Sequence, residues 1–417
     1  MTCYNDRERL RKLAARYAGI VNSGDMNRRR EIWRMSNRLL QRTVPFVIED
    51  NGTFINDLAP TCECAGELER NYFEQFFIWN ITNYEHISDD RVYLPYYPVS
   101  WIIERPNLCP GVEITRVPDA TGRSLGYKTN TPLADLANSL HILQRGEFKV
   151  DRNGTYRDVE LAESIFGDLF PVKIMCDHTT AVASGMAGKA VQWMGMDNFY
   201  MAMLDQPDNI HRFFDFVSTE ALDFLNWLQQ ENLIRPNHGE SWCGSGSIGY
   251  TDELPRSQHP DQDKWLPADC WGFVEAQESV GISNEMYAEF IFPYQNRLAQ
   301  HFGLVYYGCC EPVHAIWPTV KQFKNLRKIT ISPWCDQKIM SEAVGRDCVL
   351  SRKPHPMQLC GETFNQESFT NHIKETLDIA RDNFVELIFR DTCTLKGAMN
   401  DRVAKACGIV KKLINRE

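Results

Sequence analysis

Apolar residues recur at two different periods along this chain, and the change of period divides it. Near the N-terminus Leu10, Leu13, Tyr17 and Val21 are spaced by three and four, the stripe of an amphipathic helix. A second helical segment is expected from about Asn27 to Leu40. Further on, short apolar or β-branched runs take over: Pro171–Cys176, Cys270–Val274, Gly303–Tyr307, Lys328–Ile331, Asp347–Leu350 and Val385–Phe389. Their near-continuous hydrophobicity is that of strands buried on both faces. Between most of them lie stretches with three/four apolar spacing, Asp208–Asn232, Asn284–His301, His314–Phe323, Asp336–Val344 and Gln366–Asp382, and Ser283 with Glu285 forms a helix start. Strands alternating with helices predict a parallel sheet. At 417 residues the expected fold class is α/β, a (β/α)8 TIM-type barrel. The expected layout is a helical extension over 1–90 and the barrel over 91–417. Irregular insertions are expected within 50–170, where Tyr93–Pro98, Trp101 and Pro106, Pro110, Pro118 and Pro132 predict loops and short strands, a cap over an active site.

Composition narrows the classes of function. Hydrophobic residues make up 43% and charged residues 24%, which excludes disordered and fibrous readings. No run of 18 apolar residues occurs, so a membrane span is not expected. The net charge of −10 argues against nucleic acid as a partner. That charge is unevenly spread: the first 43 residues carry +7 and the remainder −17, which fits cationic helices packed on an acidic body. The chain opens polar and charged, without the apolar core of a signal peptide, so a cytoplasmic location is expected and the three Asn-x-Ser/Thr sites at Asn51, Asn80 and Asn153 carry little weight. In a reducing compartment the 14 cysteines are expected to be buried, metal-ligating or nucleophilic rather than paired.

Candidate chemistry concentrates where the later strands end, the position of active sites in such folds. Gly308-Cys309-Cys310-Glu311-Pro312, Ser332-Pro333-Trp334-Cys335-Asp336, Ser351-Arg352-Lys353-Pro354-His355 and Arg390-Asp391-Thr392-Cys393 bring thiols, carboxylates and cations to one rim. Zinc takes Cys sulfur and carboxylate oxygen, which makes Cys309, Cys310, Glu311 and Cys393 candidate ligands. Cys309 and Glu311, two apart, face the same way on an extended strand end, whereas Cys310 joins them only if the chain bulges at Gly308. Arg352, Lys353 and His355 are candidates for gripping a substrate anion. Asp177, His178 and Glu275 are candidates for acid–base work, and Gln277 alternates with Glu275 toward the cavity. The run Gly244-Ser245-Gly246-Ser247-Ile248-Gly249 lacks the lysine of a phosphate loop and is expected to be flexible, with Glu240, Trp242 and Tyr250 as pocket walls.

From about 160 to 410 the chain resembles the uroporphyrinogen decarboxylase superfamily. The resemblance rests on Gly195 through Asp205-Gln206-Pro207 to Ile210, Ser283–Pro293, Gly303–Pro312, Ile329-Thr330-Ile331-Ser332 and Phe389–Leu395. It implies a (β/α)8 barrel, and it is closer to the zinc-dependent methyltransferases that work with corrinoid proteins. The zinc motif of that branch is His-x-Cys plus a distant Cys; Tyr307-Gly308-Cys309 and Cys393 stand in those places, with Tyr307 replacing histidine and lining the substrate pocket. The implied function is methyl transfer between a small methylated donor, an aryl methyl ether among the candidates, and the cobalt of a corrinoid on a partner protein. The implied cofactors are zinc and that partner's corrinoid, and a homodimer is left open. Two alternatives stay beside it: a metal-independent decarboxylase of a tetrapyrrole or aromatic acid, and a corrinoid- or porphyrin-binding protein without catalysis. The Arg-Gln-Ala-Gly-Arg-Tyr-type motif of the decarboxylase branch is absent from the N-terminal part.

Overall fold

A computed structural model of the chain describes residues 3–49, 55–118, 126–256, 264–392 and 399–414. Two helices open it, α1 (Tyr4–Val21) and α2 (Gly24–Asn37). Ser23 separates them and caps α2 by accepting the N–H of Met26 at 3.2 Å. Leu10, Ala14, Tyr17 and Val21 form the buried face of α1, the stripe expected from the sequence. The positive charge of this region meets acidic partners on the body: Arg11 with Asp168 at 2.6 Å, Arg30 with Glu240 at 2.6 Å, and Arg34 and Arg38 with Asp252 at 3.1 Å each.

Eight strands, each paired in parallel, follow in the order β1 (Phe46–Ile48), β2 (Tyr97–Ser100), β3 (Val172–Met175), β4 (Trp271–Val274), β5 (Leu304–Tyr307), β6 (Leu326–Ile331), β7 (Val349–Arg352) and β8 (Phe384–Phe389). Six of them make one sheet in the order β1-β8-β7-β6-β5-β4, which curls into a half-barrel; β2 and β3 pair only with each other. The closed eight-stranded barrel expected from the sequence is therefore corrected to an open one. Side chains occupy both edges of the six-stranded sheet, which accounts for the interruption. At β1 the Asp90 and Asp89 carboxylates accept the N–H groups of Phe46 at 3.0 Å and Ile48 at 2.9 Å. At β4 the buried Asn237 amide accepts the Trp271 N–H at 2.8 Å and donates to its carbonyl at 2.9 Å. These groups satisfy backbone valences that a neighbouring strand would otherwise take. The edge strand β1 also comes from within 1–90, so that stretch is not purely a helical extension.

Helices pack on the outer face. The longest, α3 (Pro207–Gln230), starts on a proline that costs its first turn no hydrogen bond. It buries Ile210, Phe213, Phe214, Val217, Ala221, Phe224, Leu225 and Leu228 among the helices around it, Phe292–Ala299 foremost, in the same apolar cluster that holds Val274, Val305, Tyr307, Ile329, Ile331 and Leu350 of the sheet. The expected single helix Asn284–His301 is two, Asn284–Phe290 and Phe292–Ala299, because Pro293 has no N–H to continue the ladder. The inner face is filled from both ends. Trp33 of α2 lies under the Lys328 ammonium at 5.0 Å. A hairpin, Trp242–Gly244 with Ser247–Ile248, enters the half-barrel. The glycine-rich run expected to be flexible is the turn of this hairpin and is buried. A Cβ at Gly244 would stand 2.7 Å from the rings of Phe273 and Tyr306, and one at Gly246 2.8 Å from Ile388, so only glycine lets this backbone in. Among the described residues no helix is long and apolar enough to cross a membrane.

Candidate active site at the mouth of the half-barrel

Alternation along the strands sorts the candidate residues before any chemistry is considered. On β6 Lys328 and Thr330 point inward, on β7 and just beyond it Ser351 and Lys353, on β8 Glu386, and on β5 Tyr306. Their polar atoms form one chain. The Lys328 ammonium donates to Glu386 at 2.8 Å and to Ser247 at 2.7 Å; the Ser351 hydroxyl donates to the other Glu386 oxygen at 2.5 Å. Tyr306 meets Thr330 at 2.8 Å and Ser351 at 2.9 Å, and Lys353 donates to both Tyr306 and Ser351, at 2.7 and 2.5 Å. All six are buried. Polar residues at alternate positions of otherwise apolar strands were the available signal for them, and only Lys353 was singled out from the sequence.

Above this chain lies the thiol pair. Gly308 adopts φ +97°, a conformation favourable to glycine, and the turn it makes sets the Cys309 and Cys310 sulfurs 3.7 Å apart. This turn brings Cys310 beside Cys309, while the irregularity of the sheet itself lies earlier, between Val305 and Tyr306. The Arg390 guanidinium lies 3.7 Å from the Cys309 sulfur while pairing with Glu49 at 2.5 Å and donating to the Ser245 hydroxyl at 2.7 Å. The hydrogen bond from Cys310 draws the Cys309 thiol down to about 6, helped by Arg390 and Ser245 and opposed by burial. Its partner is pushed up, because Cys310 holds the shared proton. Glu311 does something else. Its oxygens accept the N–H groups of Ala276 at 3.0 Å and Cys309 at 2.8 Å, and burial beside Glu275 pushes it up to about 8. Each oxygen is thus held by one backbone N–H, and the side chain pins the turn that carries the thiols. Cys393, the distant ligand of that set, lies outside the described residues. Among the described residues no three His, Cys, Asp or Glu side chains gather as a metal site would require.

The remaining candidates are spread over several places and do not all meet. Asp177, Glu240 and Trp242 line a cavity of about 370 Å³ beside the ends of β2 and β3, with Ser100, Arg235 and Asn237. There Asp177 accepts the Ser100 hydroxyl at 2.5 Å, and Trp242 stands edge-on to Phe273 at 5.2 Å. His178 turns from that cavity to Phe224, 5.7 Å away, and burial and then Arg105 lower its affinity for a proton. Glu275 accepts the N–H groups of Gly185 at 2.7 Å and Gln277 at 3.0 Å and so anchors both loops, and the Gln277 amide meets Glu278. Tyr250 packs with the cluster of α1 and α2 residues.

Two further expectations are corrected by strand parity. Tyr307 points outward, stacked on Phe323 at 5.6 Å and fully buried among helices, so it lines no substrate pocket; its neighbour Tyr306 has the inward position. Arg352 and Lys353 cannot grip one anion, because they face opposite sides of the sheet. The Arg352 guanidinium donates to the carbonyl of Ser332 at 2.7 Å on the helix side. His355 sits apart from both, edge-on to Trp334 at 5.3 Å.

No family model matches the chain, and no curated protein matches it. Among solved structures it is similar to a methyltransferase from Methanosarcina mazei at 11% identity and a TM-score of 0.49, over 93% of this chain and 98% of that one. Likeness at that level transfers no activity.

Proposed function

We propose that this chain is a methyltransferase whose centre is the Cys309–Cys310 pair at the mouth of the half-barrel. In this reading the pair and Cys393 hold a zinc ion. The methyl group passes between a small methylated compound, an aryl methyl ether being the first candidate, and the cobalt of a corrinoid carried by a partner protein. The observation that supports it is the sulfur–sulfur distance of 3.7 Å. Two Zn–S bonds of about 2.3 Å at a tetrahedral angle hold their sulfurs about 3.8 Å apart. The pair therefore needs little rearrangement to share one ion, with Glu311 left to fix the turn.

When bound, zinc supplies a Lewis acid that makes the heteroatom of a methylated substrate a better leaving group. The protein's own groups prepare the place. Arg390 offsets negative charge at the Cys309 sulfur, Glu49 and Ser245 hold Arg390, and Glu311 fixes the backbone of Cys309.

Elemental analysis of protein purified without chelator tests the reading. One zinc per chain is expected, lost in Cys309→Ser and strongly reduced in Cys310→Ser. Methylation of added cob(I)alamin by a methoxylated benzoate, followed by its visible spectrum, is expected with zinc present and not without. Protein that carries no zinc when reconstituted with it would overturn the proposal.

A further inference from the structure

Lys353 differs from the other cations inside the half-barrel. Lys328 has Glu386 and Arg390 has Glu49, at 2.8 and 2.5 Å, while no carboxylate of the described residues lies within 4.0 Å of the Lys353 amine. Its partners are two hydroxyls, Tyr306 at 2.7 Å and Ser351 at 2.5 Å, and the residue is only 4% exposed. An ammonium buried without a counter-charge is costly, and the relief open to lysine is to give up its proton. Burial, with Arg390 nearby, brings the amine down to about 7, against the opposing pull of Glu386, Cys309 and Glu49. A lysine that is desolvated, close to a second cation and free of a carboxylate is a nucleophile toward carbonyl carbon.

We propose that Lys353 forms an imine with a small aldehyde or ketone admitted at the mouth of the half-barrel, and that Tyr306 relays the protons. The nitrogen lone pair bonds to the carbonyl carbon while the π pair moves to oxygen, which takes the Tyr306 proton as Tyr306 takes one from Nζ. The carbon–oxygen bond of the adduct then breaks. The carbonyl oxygen and the two amine protons leave as water, so the step needs no oxidant or reductant. This chemistry uses neither the thiols nor a metal, and it stands apart from methyl transfer.

The test is reductive trapping. The full chain is treated at pH 7 with propanal or with pyruvate and cyanoborohydride, and every lysine is quantified by peptide mass spectrometry. Lys353 is expected to be alkylated at least about tenfold faster than the median exposed lysine, and Tyr306→Phe to slow it by about fivefold or more at a temperature where circular dichroism shows that variant fully folded. In Lys353→Met the fast phase is expected to vanish. Label confined to exposed lysines, or a Lys353 rate no higher than theirs, overturns the proposal. A rate at Lys353 that is indifferent to Tyr306→Phe removes Tyr306 from it.

Discussion

Lys328 and Glu386 form an ion pair at 2.8 Å with neither side chain exposed to solvent. Both come from strands of the curled sheet, and Ser247, Ser351 and Ile248 take up the pair's remaining hydrogen-bonding capacity. Taking such charges out of water is repaid only when the geometry is this complete.

Breaking that pair is expected to cost more than replacing it. Glu386→Gln or Lys328→Met should each lower unfolding stability by about 3–5 kcal/mol, because the surviving charge stays buried. The double variant should recover part of the loss. Urea denaturation midpoints of the three proteins check this.

Lys353 gives stability a slope with pH. Its amine titrates near 7 in the folded protein against an ordinary 10.5. Below pH 7 both states are charged and the folded one bears the full penalty. Between the two values only the unfolded chain holds the proton, so stability should climb by about 1.4 kcal/mol per pH unit from this residue. Unfolding free energies measured from pH 7 to 9.5 should therefore rise less in Lys353→Met than in the unaltered chain.

The sequence made the later strands legible and the inner residues largely not. The runs that form β3 to β8 are apolar enough to read as buried strands, and each expected run lies within two residues of the observed bounds at both ends. Phe46–Ile48 is only three residues long and Tyr97–Ser100 contains Pro98, so neither shows a period. Closure failed as an expectation because the groups that end the ladder, Asp89, Asp90 and Asn237, lie outside every strand. At the site, polar rim residues pointed to the right place, but parity did not follow from adjacency: Tyr306 and Tyr307 differ only in which face the strand gives them. Glu311 looked like a ligand by type and spacing, and its backbone partners at Ala276 belong to another segment.

Asn237 offers a direct test of the interrupted ladder. Asn237→Ala strands the Trp271 N–H and carbonyl and frees Thr180, whose hydroxyl accepts from the amide at 2.7 Å. A loss of about 2–4 kcal/mol is expected from two unsatisfied buried groups, with faster hydrogen exchange at Trp271 than at β6. Equal exchange in both proteins would contradict the role given to this side chain.

Gly308 should be intolerant of a side chain. Its φ of +97° strains any other residue, and a Cβ would lie 3.0 Å from Cβ of Thr330. Gly308→Ala is expected to lower stability by about 1–3 kcal/mol and to separate the two sulfurs. Phenylarsine oxide, which bridges neighbouring thiols, should then bind Cys309 and Cys310 at least severalfold more weakly, as measured by competition with a dithiol.

Three polar side chains, Asp89, Asp90 and Asn237, thus do the work of missing strands at both edges of the sheet. A wall tied at two joints by single residues yields there before it yields along a ladder of backbone bonds. Point changes at those three positions act first on the backbone groups of β1 and β4 that face outward, because the ladders between the six strands are made of main-chain bonds.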